Sequence, residues 1–72
     1  MLIIEEFTAT KGSSKAGVQL VKEDGKYICF ETYLNGEKVT NRTVRFLGNW
    51  EFAIEYYKDL VRVRKNAGWE FY

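Results

Sequence analysis

Residues 18–47, VQLVKEDGKYICFETYLNGEKVTNRTVRFL, set two glycine turns between runs of β-branched and aromatic residues. Glu23-Asp24-Gly25-Lys26 separates Val18–Lys22 from Tyr27–Leu34, and Leu34-Asn35-Gly36-Glu37 separates that second run from Lys38–Leu47. Asp-Gly and Asn-Gly between such runs are strong hairpin signals, because these residues tolerate the positive φ that tight turns demand. The stretch therefore predicts three successive antiparallel strands.

Turn type sets the register. Three-residue loops, with glycine in the left-handed position, place Lys22 opposite Lys26 and Tyr33 opposite Glu37. Ile28 then faces Arg42, Phe30 faces Thr40, and the even-numbered Val18, Leu20, Ile28, Phe30, Val44 and Phe46 share one face. Two-residue loops would set Ile28 against Thr43 and Phe30 against Asn41, mixing apolar with polar positions, so the three-residue reading is preferred. A one-residue slip would send a strand's side chains to the other face. On this reading the odd face carries Gln19, Val21, Tyr27, Cys29, Glu31, Tyr33, Val39, Asn41, Thr43 and Arg45. That mixture suggests a surface partly covered by a chain terminus, or one used for binding.

Upstream, Leu2–Thr10 is short, apolar and β-branched and reads as a first strand. Lys11–Lys15, with Gly12, Ser13 and Ser14, reads as a polar loop and the most mobile internal segment. Downstream, Asn49 can cap a helix whose apolar residues recur at Trp50, Ala53, Ile54, Tyr57, Leu60 and Val61. Glu51 suits the positive end of that helix, and Arg62, Arg64 and Lys65 suit its negative end. Asn66-Ala67-Gly68 supplies the stop. Three aromatics in Trp69-Glu70-Phe71-Tyr72 predict a tail that docks, as a short added edge strand. The expected fold is α+β: an antiparallel sheet of about four strands built from consecutive hairpins, with one amphipathic C-terminal helix packed on one sheet face. Residues 1–72 form a single small domain.

Seventy-two residues allow only a thin core, and the 17% aromatic content compensates because large rings bury much area per residue. Eleven bases against ten acids, with no histidine, leave a net charge of +1. That balance argues against a dedicated duplex-DNA binder, which needs a surplus of cations. Residues 11–48 carry seven bases and four acids, so the sheet region is mildly basic. One cysteine excludes an intramolecular disulfide and points to a reducing, cytoplasmic setting. The segment Met1–Phe7 carries acids where a secretory signal carries bases, and no run reaches membrane-spanning length, so no membrane role is expected.

No catalytic or metal motif stands out. Absence of histidine removes the commonest general base and metal ligand. Glu5 and Glu6 point to opposite faces of a strand, and Glu51 with Glu55 reads as a solvated helix face. Cys29 sits mid-strand with no histidine and reads as a structural thiol. Lys11–Gly17 has the small residues and lysines of a phosphate loop, but neither its order nor a following helix. No cofactor, no small-molecule substrate and no enzymatic activity are expected.

The residues most suggestive of binding are Tyr27, Tyr33 and Arg45 on the odd face, with Lys15, Lys26 and Lys38 at its margins. Aromatic rings on strands can stack nucleobases while cations follow the backbone. The structural alternative is that the tyrosines pack beneath a chain terminus. Near-neutral charge, aromatic excess, absent chemistry and a free sheet edge favour a small interaction or regulatory module. Its partner would be another protein or a second copy, with single-stranded nucleic acid as the alternative.

Overall fold

Three tight turns, each with glycine at positive φ, fold the chain back on itself before its single helix begins. The computed structural model describes residues 1–72. Strands β1 (Leu2–Lys11), β2 (Ser14–Glu23), β3 (Lys26–Asn35) and β4 (Lys38–Leu47) precede α1 (Trp50–Asn66) and a short β5 (Glu70–Phe71). They form one antiparallel sheet in the order β4-β3-β2-β1-β5. The α+β architecture with an added terminal strand is the one expected.

The register differs from the sequence reading. Glu23 pairs with Lys26, so the first of the two quoted turns has a two-residue loop, Asp24-Gly25. Both loop residues take positive φ, 51° and 74°. That is the type I′ pattern, whose twist matches the strands it joins. Asn35 pairs with Lys38 around Gly36-Glu37, and only Gly36 has positive φ, as in a type II′ turn. Thr40 is then an extra residue in β4, because Leu34 faces Val39 while Tyr33 faces Asn41. The Thr40 hydroxyl donates to the Tyr33 carbonyl at 3.2 Å across this bulge.

The lost loop residue shifts the first hairpin by one residue, and the displaced loop with the Thr40 bulge shifts β4 by four residues against β3. Ile28 faces Phe46 rather than Arg42, and Phe30 faces Val44 rather than Thr40. Val18 faces Glu31 and Leu20 faces Cys29, so the helix covers even residues of β2 but odd residues of β3. The expectation that Ile28, Phe30, Val44 and Phe46 lie under the helix is therefore corrected. The expected loop at Lys11–Lys15 is also corrected: Lys11 pairs with Ser14 around a Gly12-Ser13 turn, and β1 and β2 run into it from both sides.

The core beneath α1 contains Phe7, Ala9, Val18, Leu20, Cys29, Leu47, Ala53 and Tyr57. Within it Leu20 and Val18 are the largest fully buried side chains, each contributing roughly 1.5–3 kcal/mol of burial. Phe7 packs edge-on to Tyr57 with ring centroids 5.7 Å apart and tilts against Phe71 at 5.2 Å. Asn49 caps the helix, its Oδ1 accepting from the Phe52 amide at 2.8 Å. At the other end Gly68 takes φ +85° and the Trp69 amide donates to the Arg64 carbonyl at 3.0 Å, which turns the tail towards β1. There Phe71 pairs with Ala9, Glu70 pairs with Thr10, and the Tyr72 amide donates to the Thr8 carbonyl at 2.9 Å. No helix is long and apolar enough to cross a membrane.

Candidate interaction edge

The face away from α1 is built by cross-strand rows. Ile3, Val21, Ile28 and Phe46 follow one another across four strands, and Glu6, Gln19, Phe30 and Val44 form the next row. A bulge between Ile3 and Glu5 puts Ile3 in the first row despite its odd number. Val21 and Ile28 are buried in that row although the helix lies on the other side. The row becomes exposed as it reaches β4, where Phe46 is 72% and Val44 is 52% accessible.

β4 is the outermost strand and has no neighbour on its outer side. Every residue of it except Thr43 and Leu47 is exposed. An edge strand offers a row of unpaired backbone donors and acceptors to any extended chain that can approach it. Past the Thr40 bulge, Asn41–Leu47 runs in unbroken register with β3. Along this edge a shallow cavity of about 320 Å³ is lined by Val44, Arg45, Phe46, Leu47, Phe52 and Tyr56. Phe52, in the first turn of α1, is itself 59% exposed. Apolar side chains thus stand on both sides of an open backbone.

Charge along β4 is of one sign: Lys38, Arg42 and Arg45, with no acid. Lys38 and Arg42 enter no ion pair, and Arg45 Nε lies 3.8 Å from a Glu31 carboxylate oxygen. Glu31 is a buried carboxylate on the helix face of β3, only 5% exposed. It accepts hydrogen bonds from the Tyr33 hydroxyl and, at 2.6 Å, from the Tyr56 hydroxyl. Buried carboxylates persist when hydroxyls and a cation meet them, as here. Burial and the hydrogen bond to Glu31 push the Tyr33 hydroxyl up to about 12, and the same causes push Tyr56 higher still. Burial, then the neighbouring Glu31 charge, raises the Cys29 thiol to about 12, against the pull of Arg45. A thiol so placed is a poor nucleophile. Glu31 lines none of the cavities of about 410, 360 and 320 Å³, so the network reads as a tie between β3, β4 and α1.

The residues singled out from sequence fall in several places. Tyr27 and Tyr33 are on the helix face and half-buried, so the open platform expected of them is corrected. Tyr27 tilts against Trp50 at 5.7 Å, and Tyr33 lies beneath the Arg64 guanidinium at 5.1 Å. They lie six positions apart on β3, roughly 20 Å at strand spacing. Arg45 is on the same face but at the exposed margin, 5.7 Å over the Tyr56 ring. Lys15, Lys26 and Lys38 are all exposed; Lys15 lies near the β1–β2 turn, Lys26 at the β2–β3 turn and Lys38 at the β3–β4 turn. They do not converge on the tyrosines. Arg45 and Lys38 belong to the β4 edge, which also holds four residues not foreseen as a site: Arg42, Val44, Phe46 and Phe52. The apolar alternation Val44-Arg45-Phe46 is visible in the sequence, but the three-residue-loop register places it in the core.

Two larger cavities lie away from this edge, one of them about 360 Å³ between Glu5 of β1 and Ile54, Tyr57 and Val61 of α1. Gly17 leaves a gap in the open face, a cavity of about 410 Å³ lined by Glu6, Thr8, Gln19, Thr32 and Tyr72 among others. No three His, Cys, Asp or Glu side chains converge as a metal site would require. Comparison of the chain with protein-family models, curated proteins and solved structures finds no match.

Proposed function

We propose that this chain is a non-enzymatic interaction or regulatory module that binds a partner protein, or a second copy of itself, through the β4 edge. The observation that carries the reading is the regular outer strand Asn41–Leu47, with Phe46 72% exposed and Val44 52% exposed beside it. Exposed apolar groups next to unpaired backbone are what a partner strand needs for affinity and for specificity. A single buried thiol suits a reducing compartment such as the cytoplasm.

The test compares the wild-type chain with a Val44→Asp, Phe46→Asp variant, by sedimentation and by recovery of proteins from the native source. Self-association or a recovered protein that is lost in the variant supports the reading. A wild-type monomer that recovers the same proteins as the variant defeats it.

A second reading, single-stranded nucleic acid on the open face, draws on Phe30 and Phe46, which lie on adjacent strands with Lys15 and Arg42 on the same face. Oligothymidylate binding is expected to be weak and to vanish at moderate salt, because few cations serve that face. Tight, salt-resistant binding would reverse the ranking.

A further inference from the structure

We infer that the occupant of the β4 edge is an acidic, extended segment of a partner protein, added as a sixth strand; this rests on the β4 reading above. Backbone pairing alone would accept many sequences, so the side chains beside the edge decide which extended segment is preferred. On the open face these are Arg42, Val44 and Phe46, and on the helix face Thr43, Arg45 and Leu47. Opposed side chains on neighbouring strands share a face, and opposite charges placed so attract while like charges repel. A matching strand therefore sets an acid against Arg42, an apolar residue against Val44, an acid against Arg45 and an apolar residue against Phe46.

Charge argues for a foreign strand over a second copy of β4. Lys38, Arg42 and Arg45 meet no acid on their own strand, so two β4 edges would bring six cations together and no carboxylate. The Arg42 guanidinium has no ion-pair partner, and the Arg45 side chain is 57% exposed with only a 3.8 Å contact to Glu31. Both are free to meet incoming carboxylates. The aliphatic and aromatic groups at Val44, Phe46 and Phe52 supply the water-excluding contacts, and the cavity of about 320 Å³ between β4 and Phe52 admits an apolar side chain.

The probe is a capped peptide as long as the Asn41–Leu47 stretch, TVEVTET, carrying a dye for anisotropy. Its controls are TVKVTKT and a TVEVTET methylated at alternate backbone nitrogens, which cannot complete a strand ladder. TVEVTET is expected to bind and to shift the amide resonances of Asn41–Leu47, with TVKVTKT about tenfold weaker or worse. Methylation should abolish binding, and Arg42→Glu should erase the preference between the two charged peptides, because Arg45 still attracts an acid while the substituted position repels one. Arg42 is exposed and unpaired, so its replacement leaves the fold intact.

The outcomes separate the two levels of the argument. Equal binding of TVEVTET and TVKVTKT, with β4 amides shifted by both, overturns the acidic partner and leaves the edge reading standing. Shifts confined to other strands, or none with any peptide, overturn both. Oligothymidylate that shifts β4 and displaces TVEVTET overturns the inference in favour of nucleic acid. A peptide-free dimer broken by Arg42→Glu would identify a second copy as the occupant and overturn it too; its acidic segment Leu2–Phe7 would be the candidate strand.

Discussion

At one side of the sheet β1 sends Phe7 and Ala9 into the core, and β5 pairs with its C-terminal half. Its remaining edge carries a bulge between Ile3 and Glu5 and two adjacent acids, Glu5 and Glu6. At the other side β4 buries only Leu47, and no strand covers it. Sheets guard their edges by cover, by bulges and by charge. β1 has all three. β4 has a bulge at Thr40 and cations, yet leaves Asn41–Leu47 regular, apolar in part and uncovered. One edge is closed against association by several independent features, and the other retains what a partner strand requires.

The largest effect that could break this comparison is a pair of substitutions, one on each edge strand. Phe7→Ala should cost about 3–5 kcal/mol, because it empties a site packed by Tyr57 and Phe71. Phe46→Ala should change stability by no more than about 0.5 kcal/mol, since its ring stands mostly in water. Urea denaturation of both variants measures the contrast. Equal losses would mean that β4 is as integral to the fold as β1.

Phe71→Ala tests the cover on β1. Its ring is half-buried against Phe7, so a loss of about 1–2 kcal/mol is expected. Sedimentation of the same variant should show increased self-association if β5 is what shields that edge.

Glu31→Gln sharpens the account of β4. Replacing the carboxylate weakens the hydrogen bonds from Tyr33 and Tyr56 and removes the attraction to Arg45, for an expected loss of about 1 kcal/mol. Faster amide exchange along β4 than along β1 should accompany it. Uniform exchange in both strands would show that Glu31 does not hold β4 in particular.

The remaining effect is alkaline. Cys29 and Tyr33 have folded-state values near 12, above the ordinary 9 and 10. Their unfolded forms lose protons first as pH rises, so the unfolded state binds fewer protons and stability falls. This contribution is intact below about pH 9 and declines as pH climbs towards 12. Denaturation midpoints at pH 8 and at pH 10.5 test it, and Tyr33→Phe should lessen the decline. Over the same range Cys29 should resist a thiol reagent until the chain unfolds. Rapid labelling of the native protein would contradict its burial.

Much of the fold was legible because the signals were local. Asp24-Gly25 and Asn35-Gly36 marked turns that exist, Asn49 caps the helix, and Gly68 ends it with the tail docking on β1. The turn types were not legible. Asp24 adopts the left-handed region beside Gly25, which removes one loop residue, and the Thr40 bulge shifts β4 further. Three-residue loops place Tyr27 and Tyr33 on an open face, whereas in the structure they lie under α1. The site suffered more than the fold for the same reason: strands survive a slip of one residue, but the identity of an exposed face does not.

The sequence by itself determined where the chain turns, which segment is helical, and that residues 1–72 hold no histidine and a single cysteine. These follow from backbone preferences and composition, which act over a few residues at a time. Only the tertiary structure decided that β5 covers β1 while β4 stays uncovered, and that Val44, Phe46 and Phe52 flank the same open edge. Strand order and exposure arise from contacts between segments distant in the chain, and those are chosen by packing the whole core at once.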